Sequence, residues 1–292
     1  MVNMNNIRKE FVLIALTAFI SVYTSCEDKI NKGKGYKLPK IDLSHWSVTT
    51  PGINEYGIAT TINPPEILNY GTDERLLPYM YNDSTNGALV FYVYPSKATT
   101  PNSQYSRSEL REQMVPGDNN VNWTFAQGGT MKGVLEMGSV SKDSDGKYHK
   151  VIIMQIHGRL TDAQRDLIGQ EDNNAPPVLK IYWDNGKVRV KTKVLKNLSN
   201  TVEALLHVDA WKDDDGYTFP TEVGFGKFKL EVNVSDGKMV ITLNNNEHKV
   251  YESIHLQKWG VFENYFKAGN YFQTRDEGAL ATVKYYELKV MH

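Results

Sequence analysis

The 292-residue chain has one cysteine, Cys26. A single thiol rules out an intrachain disulfide and a CxxC metal site, and so near the N-terminus it offers no cysteine nucleophile in a folded environment. Neither sign of charge is in excess, with 33 Lys and Arg against 34 Asp and Glu. A globally basic, nucleic-acid-binding surface is therefore excluded, and any attraction for a polyanion must come from a local patch. No apolar run has the ~18 residues of a spanning helix; the one at 11–22 is too short. Long amphipathic helical periodicity is missing as well. No cluster of His, Asp and Glu has metal-ligand spacing. Asp213-Asp214-Asp215 comes nearest to a Ca²⁺ site, but a solvated loop tip is its plainer reading. No metal or cofactor is expected.

The N-terminus reads as a targeting segment. Arg8 and Lys9 precede the apolar run, and Thr24-Ser25-Cys26 resembles a bacterial lipoprotein cleavage and lipidation site. Tyr23 stands where an aliphatic residue is usual. Glu27 and Asp28 resemble the acidic export signal of surface lipoproteins. The expectation is a signal peptide over 1–25, lipidation of Cys26, a Lys- and Gly-rich tether over 26–39 and one domain over 40–292. Such a protein is exported and held by its lipid on the outer membrane or cell surface of a Gram-negative bacterium.

The domain's pattern is mostly strand. Residues 88–94 (ALVFYVY) and 151–157 (VIIMQIH) are apolar and β-prone. Asp184-Asn185-Gly186 and Ser235-Asp236-Gly237 each divide two alternating runs, a hairpin signal. Residues 281–290 read as a closing strand. A short helix is expected at 162–168, inside a loop over 158–177; a second long loop is expected over 209–220. Many short strands joined by Gly, Asn and Asp turns predict an all-β sandwich or jelly roll.

Three segments gather chemistry on one strand face each. In 106–112 (SRSELRE), Arg107, Glu109 and Arg111 share a face and Leu110 points to a core. Guanidinium forks bind carboxylates, and Glu109 can hold both arginines. In 151–157, Ile153, Gln155 and His157 share a face, bringing an amide donor and a base of near-neutral pKa. In 265–273 (YFKAGNYFQ), Tyr265, Lys267, Gly269, Tyr271 and Gln273 share a face. There Gly269 would let a ligand approach the backbone, and Lys267 would stabilise a Tyr271 phenolate. Each segment alone also fits an ordinary charged or amphipathic strand.

Together, SRSELRE, QIH and YFKAGNYFQ resemble the three signature regions of polysaccharide lyase family 7, the alginate lyases. Asp42-Leu43-Ser44-His45-Trp46 with Thr49-Thr50-Pro51 resembles the family's opening segment. The resemblance implies a jelly roll of two antiparallel sheets with a concave substrate cleft. It makes Arg107, Gln155, His157 and Tyr271 catalytic, and Glu109, Arg111, Lys267 and Gln273 supporting or substrate-binding residues. The implied partner is an anionic polysaccharide, alginate or a related polyuronate, handled by a monomer. Ile156 within Q-I-H implies a lean toward guluronate-containing blocks.

Elimination on a uronate needs the carboxylate neutralised, the C5 proton removed and O4 protonated. Arg107 and Gln155 suit the first task without a metal. Tyr271 suits proton transfer to O4. In mannuronate the C5 proton and O4 lie on one side, so Tyr271 serves both steps; in guluronate they lie on opposite sides, and His157 is the second group. Three other readings stay open on sequence. One is a non-catalytic carbohydrate-binding jelly roll, for which five Trp and seventeen Tyr supply stacking area. A second is a jelly-roll glycoside hydrolase, although Glu136 has no partner carboxylate at the right spacing. The third is a lyase for another polyuronate such as glucuronan.

Overall fold

Alternation of apolar and polar residues builds two facing sheets, and the computed structural model describes residues 37–292 of them. The expected signal peptide, Cys26 and the expected tether up to residue 36 lie outside the described residues. Tether residue Lys37 is tied down: its N–H donates to Ser84 O (3.1 Å), and its carbonyl accepts from Asn82 Nδ2 (3.2 Å).

One sheet runs in the order Glu247–Tyr251, Lys238–Leu243, Phe228–Ser235, Gly129–Val140, Ala281–Met291, Ala88–Val93, Met80–Asp83. The other runs Trp211–Asp213, Lys187–Leu195, Asn174–Asp184, Val151–Arg159, Glu263–Phe272, Arg107–Glu112, Trp46–Ile53, Ala59–Ile62. Their ladders are antiparallel; the short Lys40–Ile41 strand alone joins in parallel, beside Glu287 and Leu288. This is a jelly roll with a concave sheet, as the turn-rich strand pattern predicts. The Asn185-Gly186 hairpin forms with both residues at positive φ (49° and 89°), the primed turn that matches strand twist.

The core fills the space between the sheets. Leu110, Met154, Phe266 and Phe272 from the concave sheet meet Phe91, Leu135, Val283 and Tyr285 from the other, all fully buried. Each such side chain contributes about 1.5–3 kcal/mol by leaving water. The sheets pack so closely that a methyl group on Gly133 would lie 2.5 Å from Met154 Cε.

Both expected long loops are shorter than the sequence implied. The first spans only residues 160–173. It holds the helix Asp162–Leu167, capped by a reciprocal pair of hydrogen bonds between Thr161 and Gln164. Its far end belongs to the Asn174–Asp184 strand, where Pro176-Pro177 sit at irregularities in pairing. Prolines donate no ladder bond and so read as loop, yet a strand tolerates them at such breaks. The second supplies two edge strands, Trp211–Asp213 and Tyr217–Glu222, both paired with Lys187–Leu195. Of the aspartates there, only Asp215, exposed in the bend between the two strands, is a solvated loop tip. Asp213 pairs with Lys180 (2.5 Å) and Lys193 (2.7 Å), and Asp214 accepts from Thr192 N and Oγ1 (3.0 Å each). Among the described residues no group of three or more His, Cys, Asp or Glu is placed to hold a metal ion.

Candidate active site

The three chemistry-bearing strands lie side by side at the centre of the concave sheet. Glu263–Phe272 is in the middle, with Arg107–Glu112 on one side and Val151–Arg159 on the other. Antiparallel register sets Lys267 opposite both Arg111 and Gln155, Gly269 opposite Glu109, and Tyr271 opposite Arg107. Arg107, Gln155, His157, Tyr271 and Gln273 line one cavity of about 320 Å³. A second cavity, about 220 Å³, contains Arg111, Arg159 and Tyr265, and Asn102 borders both. A larger cavity, about 710 Å³, lies among residues 40–46, 112–114 and 288–292. Volume does not locate the site; converging polar groups do.

Glu109 is the hub. Its side chain is fully buried. It pairs with Lys267 Nζ (2.6 Å) and Arg107 Nη1 (3.0 Å) and accepts a hydrogen bond from Gln155 Nε2 (2.5 Å). Burial pushes the Glu109 carboxyl up, but Lys267, Arg107 and Gln155 outweigh it and hold the group below its usual range. Burial and Arg107 draw the Lys267 ammonium down to about 8, against the pull of Glu109. A buried charge persists only with such partners, so Glu109 anchors the arginine, lysine and amide that face the cleft. Lys267 is thus spent on Glu109, which departs from its expected role beside Tyr271. The Arg107 guanidinium also donates to Ser103 Oγ and lies 4.0 Å over the Tyr271 ring. Gln273 donates to Tyr271 O (3.2 Å).

His157 is held differently. Its ring stacks on Tyr265 at 5.3 Å and 15°, and Arg111 covers the Tyr265 ring at 4.0 Å. His157 Nδ1 lies 2.9 Å from Gly158 O. A carbonyl only accepts, so Nδ1 carries the proton and Nε2 keeps a free lone pair. Burial, then Lys267 and Arg107, push the imidazole down to about 3. His157 is therefore held in its neutral form near neutral pH.

Two details depart from simple alternation. Gly269 and Asn270 together oppose Ile153 alone, and Ile153 is also the extra residue against Asn174–Asp184. This irregularity turns Ile153 into the core and brings Ile152, rather than Ile153, into the cavity beside Tyr271 and Tyr182. Tyr285, from the opposite sheet, pins the break. Its hydroxyl donates to Ile153 O (2.5 Å) and accepts from Gly269 N (3.3 Å). Gly269 has φ +140°, and a Cβ there would stand 2.6 Å from Ser108 O. Its missing side chain thus makes room for the neighbouring strand, not for a ligand. Sequence reading passed over Tyr265, Asn102, Lys180 and Tyr182 as site residues. The face that carries Tyr265 was visible; the others stand on strands and loops whose place beside the motifs only topology sets.

A family model described as alginate lyase matches residues 41–292. The chain belongs to the alginate lyases of polysaccharide lyase family 7. It is accordingly a polysaccharide lyase. Alginate lyase A1-II′, a member of that family, is 30% identical and superposes with a TM-score of 0.67 over 86% of this chain and 96% of that one. A Tyr-to-Phe variant of A1-II′ in complex with product (GGG) is 30% identical, with a TM-score of 0.68 over 87% and 97% of the two chains. Alginate lyase PA1167 from Pseudomonas aeruginosa, 22% identical with a TM-score of 0.63 over 86% and 100%, shares the fold. No curated protein sequence matches the chain.

Proposed function

We propose that this lyase cleaves the 1,4-linkage of alginate by β-elimination and acts best on guluronate-containing blocks. The observation that carries the reading is His157, a neutral imidazole with its Nε2 lone pair free, sharing a cavity with Tyr271 and Arg107. Arg107 and the second N–H of the Gln155 amide meet the substrate carboxylate, so that charge developing on it at C5 deprotonation is stabilised. His157 Nε2 takes the C5 proton. The electron pair left behind forms the C4–C5 double bond as the C4–O4 bond breaks, and the Tyr271 hydroxyl protonates O4. The products are one fragment with a 4,5-unsaturated uronate at its new non-reducing end and a second fragment that keeps the departing oxygen as the hydroxyl of its new reducing end; solvent returns a proton to Tyr271 and removes one from His157.

The lean toward guluronate follows from protonation states. A neutral His157 as base and the Tyr271 hydroxyl as acid are the pair that anti elimination needs. Syn elimination from mannuronate asks Tyr271 to lose its proton before it can act as base. Two similar structures hold a GGG product and a GGMG substrate, and oligomers of that kind suit this reading. Ile156 is wholly buried between the sheets, so it bears on specificity only through the strand it anchors.

The test is absorbance near 235 nm, roughly where unsaturated uronates absorb, on guluronate-block, mannuronate-block and glucuronan substrates. We expect the fastest rise on guluronate blocks. His157→Ala should lose about 10²–10⁴-fold on them and less on mannuronate blocks. Equal loss on both would remove the divided base, and silence of the wild type on all three would remove the reading.

We also propose that the enzyme is exported and lipid-anchored, on the support of residues 8–28 alone. Labelled palmitate should enter the wild type and not Cys26→Ala; equal labelling would overturn this.

A further inference from the structure

Cross-strand register places Arg111, Lys267, Gln155 and Lys180 in one row across four strands of the concave sheet. The row does not end there. Lys191, on the Lys187–Leu195 strand, stands directly opposite Lys180. Directly opposed residues share a face, and like charges so placed repel. The neighbouring carboxylates do not resolve this. Asp213 is shared between Lys180 and Lys193, and Asp214 is spent on Thr192. Arg189, the next cation on that face, is tied to Asp215 O and Thr218 Oγ1. Of the five row members, Lys191 alone has no ion pair or hydrogen bond from its side chain among the described residues, and it is only partly exposed. A partly exposed lysine set against another lysine, with no counter-ion of its own among the described residues, is a feature that an anionic ligand would satisfy.

We propose that Lys191 forms a distal subsite for a uronate carboxylate, extending the polymer-binding track two strands beyond Gln155. Strand spacing puts this strand roughly 10 Å past the one that bears Gln155 and His157. Lys180 lines the catalytic cavity and bridges the gap. The inference rests on the polyuronate reading above. Its consequence is preference for chain length: a substrate long enough to reach Lys191 gains binding in ground and transition state alike, which lowers KM and leaves kcat unchanged.

The experiment compares wild type, Lys191→Gln and Lys191→Glu on alginate polymer and on the shortest oligosaccharide the wild type cleaves, each at low and high salt. For Lys191→Gln we expect KM on polymer to rise about threefold to fivefold, the span of a partly exposed ion pair. Lys191→Glu should raise it further. In both variants kcat on polymer should stay within twofold, the short substrate should be unaffected, and added salt should erase the difference. An unchanged KM on polymer at low salt, or an equal rise on short and long substrates, overturns the subsite. Inactivity of the wild type on every polyuronate would instead be the failure of the functional reading, so the two outcomes are separable.

Discussion

The strand Arg107–Glu112 carries two buried glutamates with opposite duties. Glu109 faces the cleft and gathers Arg107, Lys267 and Gln155. Glu112, three residues on, falls on the other face. It accepts from Trp123 Nε1 (3.1 Å) and Phe266 N (2.9 Å) and pairs with His292 Nε2 (2.6 Å). Both carboxylates are buried, but Glu109 holds two cations and an amide, whereas Glu112 holds two neutral N–H donors and one imidazole. Strand parity sends them to opposite faces: one organises groups that face the cleft, the other closes its bonds inside the protein. A motif of seven residues thus writes a site on one surface and a fold determinant on the reverse.

Tyr271→Phe should break the cleft side most severely. It removes the hydroxyl that protonates O4 and keeps the ring beneath Arg107. A loss of kcat on the order of 10³-fold is expected, within the range for general acid–base groups, with an unchanged circular dichroism spectrum and melting curve. Near-normal turnover would mean that another group protonates the leaving oxygen.

Glu109→Gln and Glu112→Gln sharpen the comparison directly. At 109 the change leaves Arg107 and Lys267 without their carboxylate. Misplacement of the groups that meet the substrate is expected to cost about 10²-fold in kcat/KM. Removing one partner of a buried pair also costs about 3–5 kcal/mol unless Lys267 sheds its proton, which its lowered pKa makes easy. At 112 the amide oxygen still accepts from Trp123 and Phe266 N, and the loss is the charged bond to His292. Activity within twofold of wild type and a stability loss of about 1–3 kcal/mol are expected from kinetics and urea titration. A Glu112→Gln enzyme as crippled in catalysis as Glu109→Gln would show that the two faces are coupled.

A pH profile separates the faces again. The folded-state pKa of His157 is depressed, so the imidazole stays neutral, and able to accept a proton, as pH falls from 8 through 6.5 down to about 3. No inflection at the ordinary His pKa of about 6.5 should therefore appear in kcat/KM on guluronate blocks. An acid limb at that pH on guluronate, absent on mannuronate, would mean that His157 titrates freely and that its site is wetter than the geometry indicates.

The sequence made the faces legible because period-2 alternation needs only local residues. Arg107, Glu109 and Arg111 point one way and Leu110 the other on that ground alone. What escaped depends on groups far along the chain. The turn that admits Ile152 to the cavity and buries Ile153 is pinned by Tyr285, 132 residues away, and no local pattern marks it. Gly269 advertised empty space, but which neighbour fills that space is a matter of strand order. Lys267 looked available to Tyr271 until the ion pair with Glu109, diagonal to it on the next strand, claimed it. Edge strands over 211–222 were hidden by three aspartates and a proline, residues that favour turns when no adjacent strand supplies partners. Glu112 gave no sign at all, since its partners come from residues 123, 266 and 292.

That hidden cluster makes the smallest prediction. Burial opposes a charge on His292, but Glu112 outweighs it and raises the imidazole above its ordinary pKa. A raised pKa means that folding binds the proton more tightly. The stabilisation is therefore fully present below about pH 6.5, the unfolded value, and is lost as pH rises through the higher folded value. One partly exposed charged hydrogen bond is worth about 1 kcal/mol, or roughly 2–4 °C in a protein of this size. Melting temperature should fall by that amount between pH 6 and 9 in the wild type relative to His292→Gln, while kcat/KM of the two enzymes stays equal. Parallel melting curves across that range would show that Glu112 is satisfied by Trp123 and Phe266 alone, and that its face of the strand needs no second charge to match the cluster around Glu109.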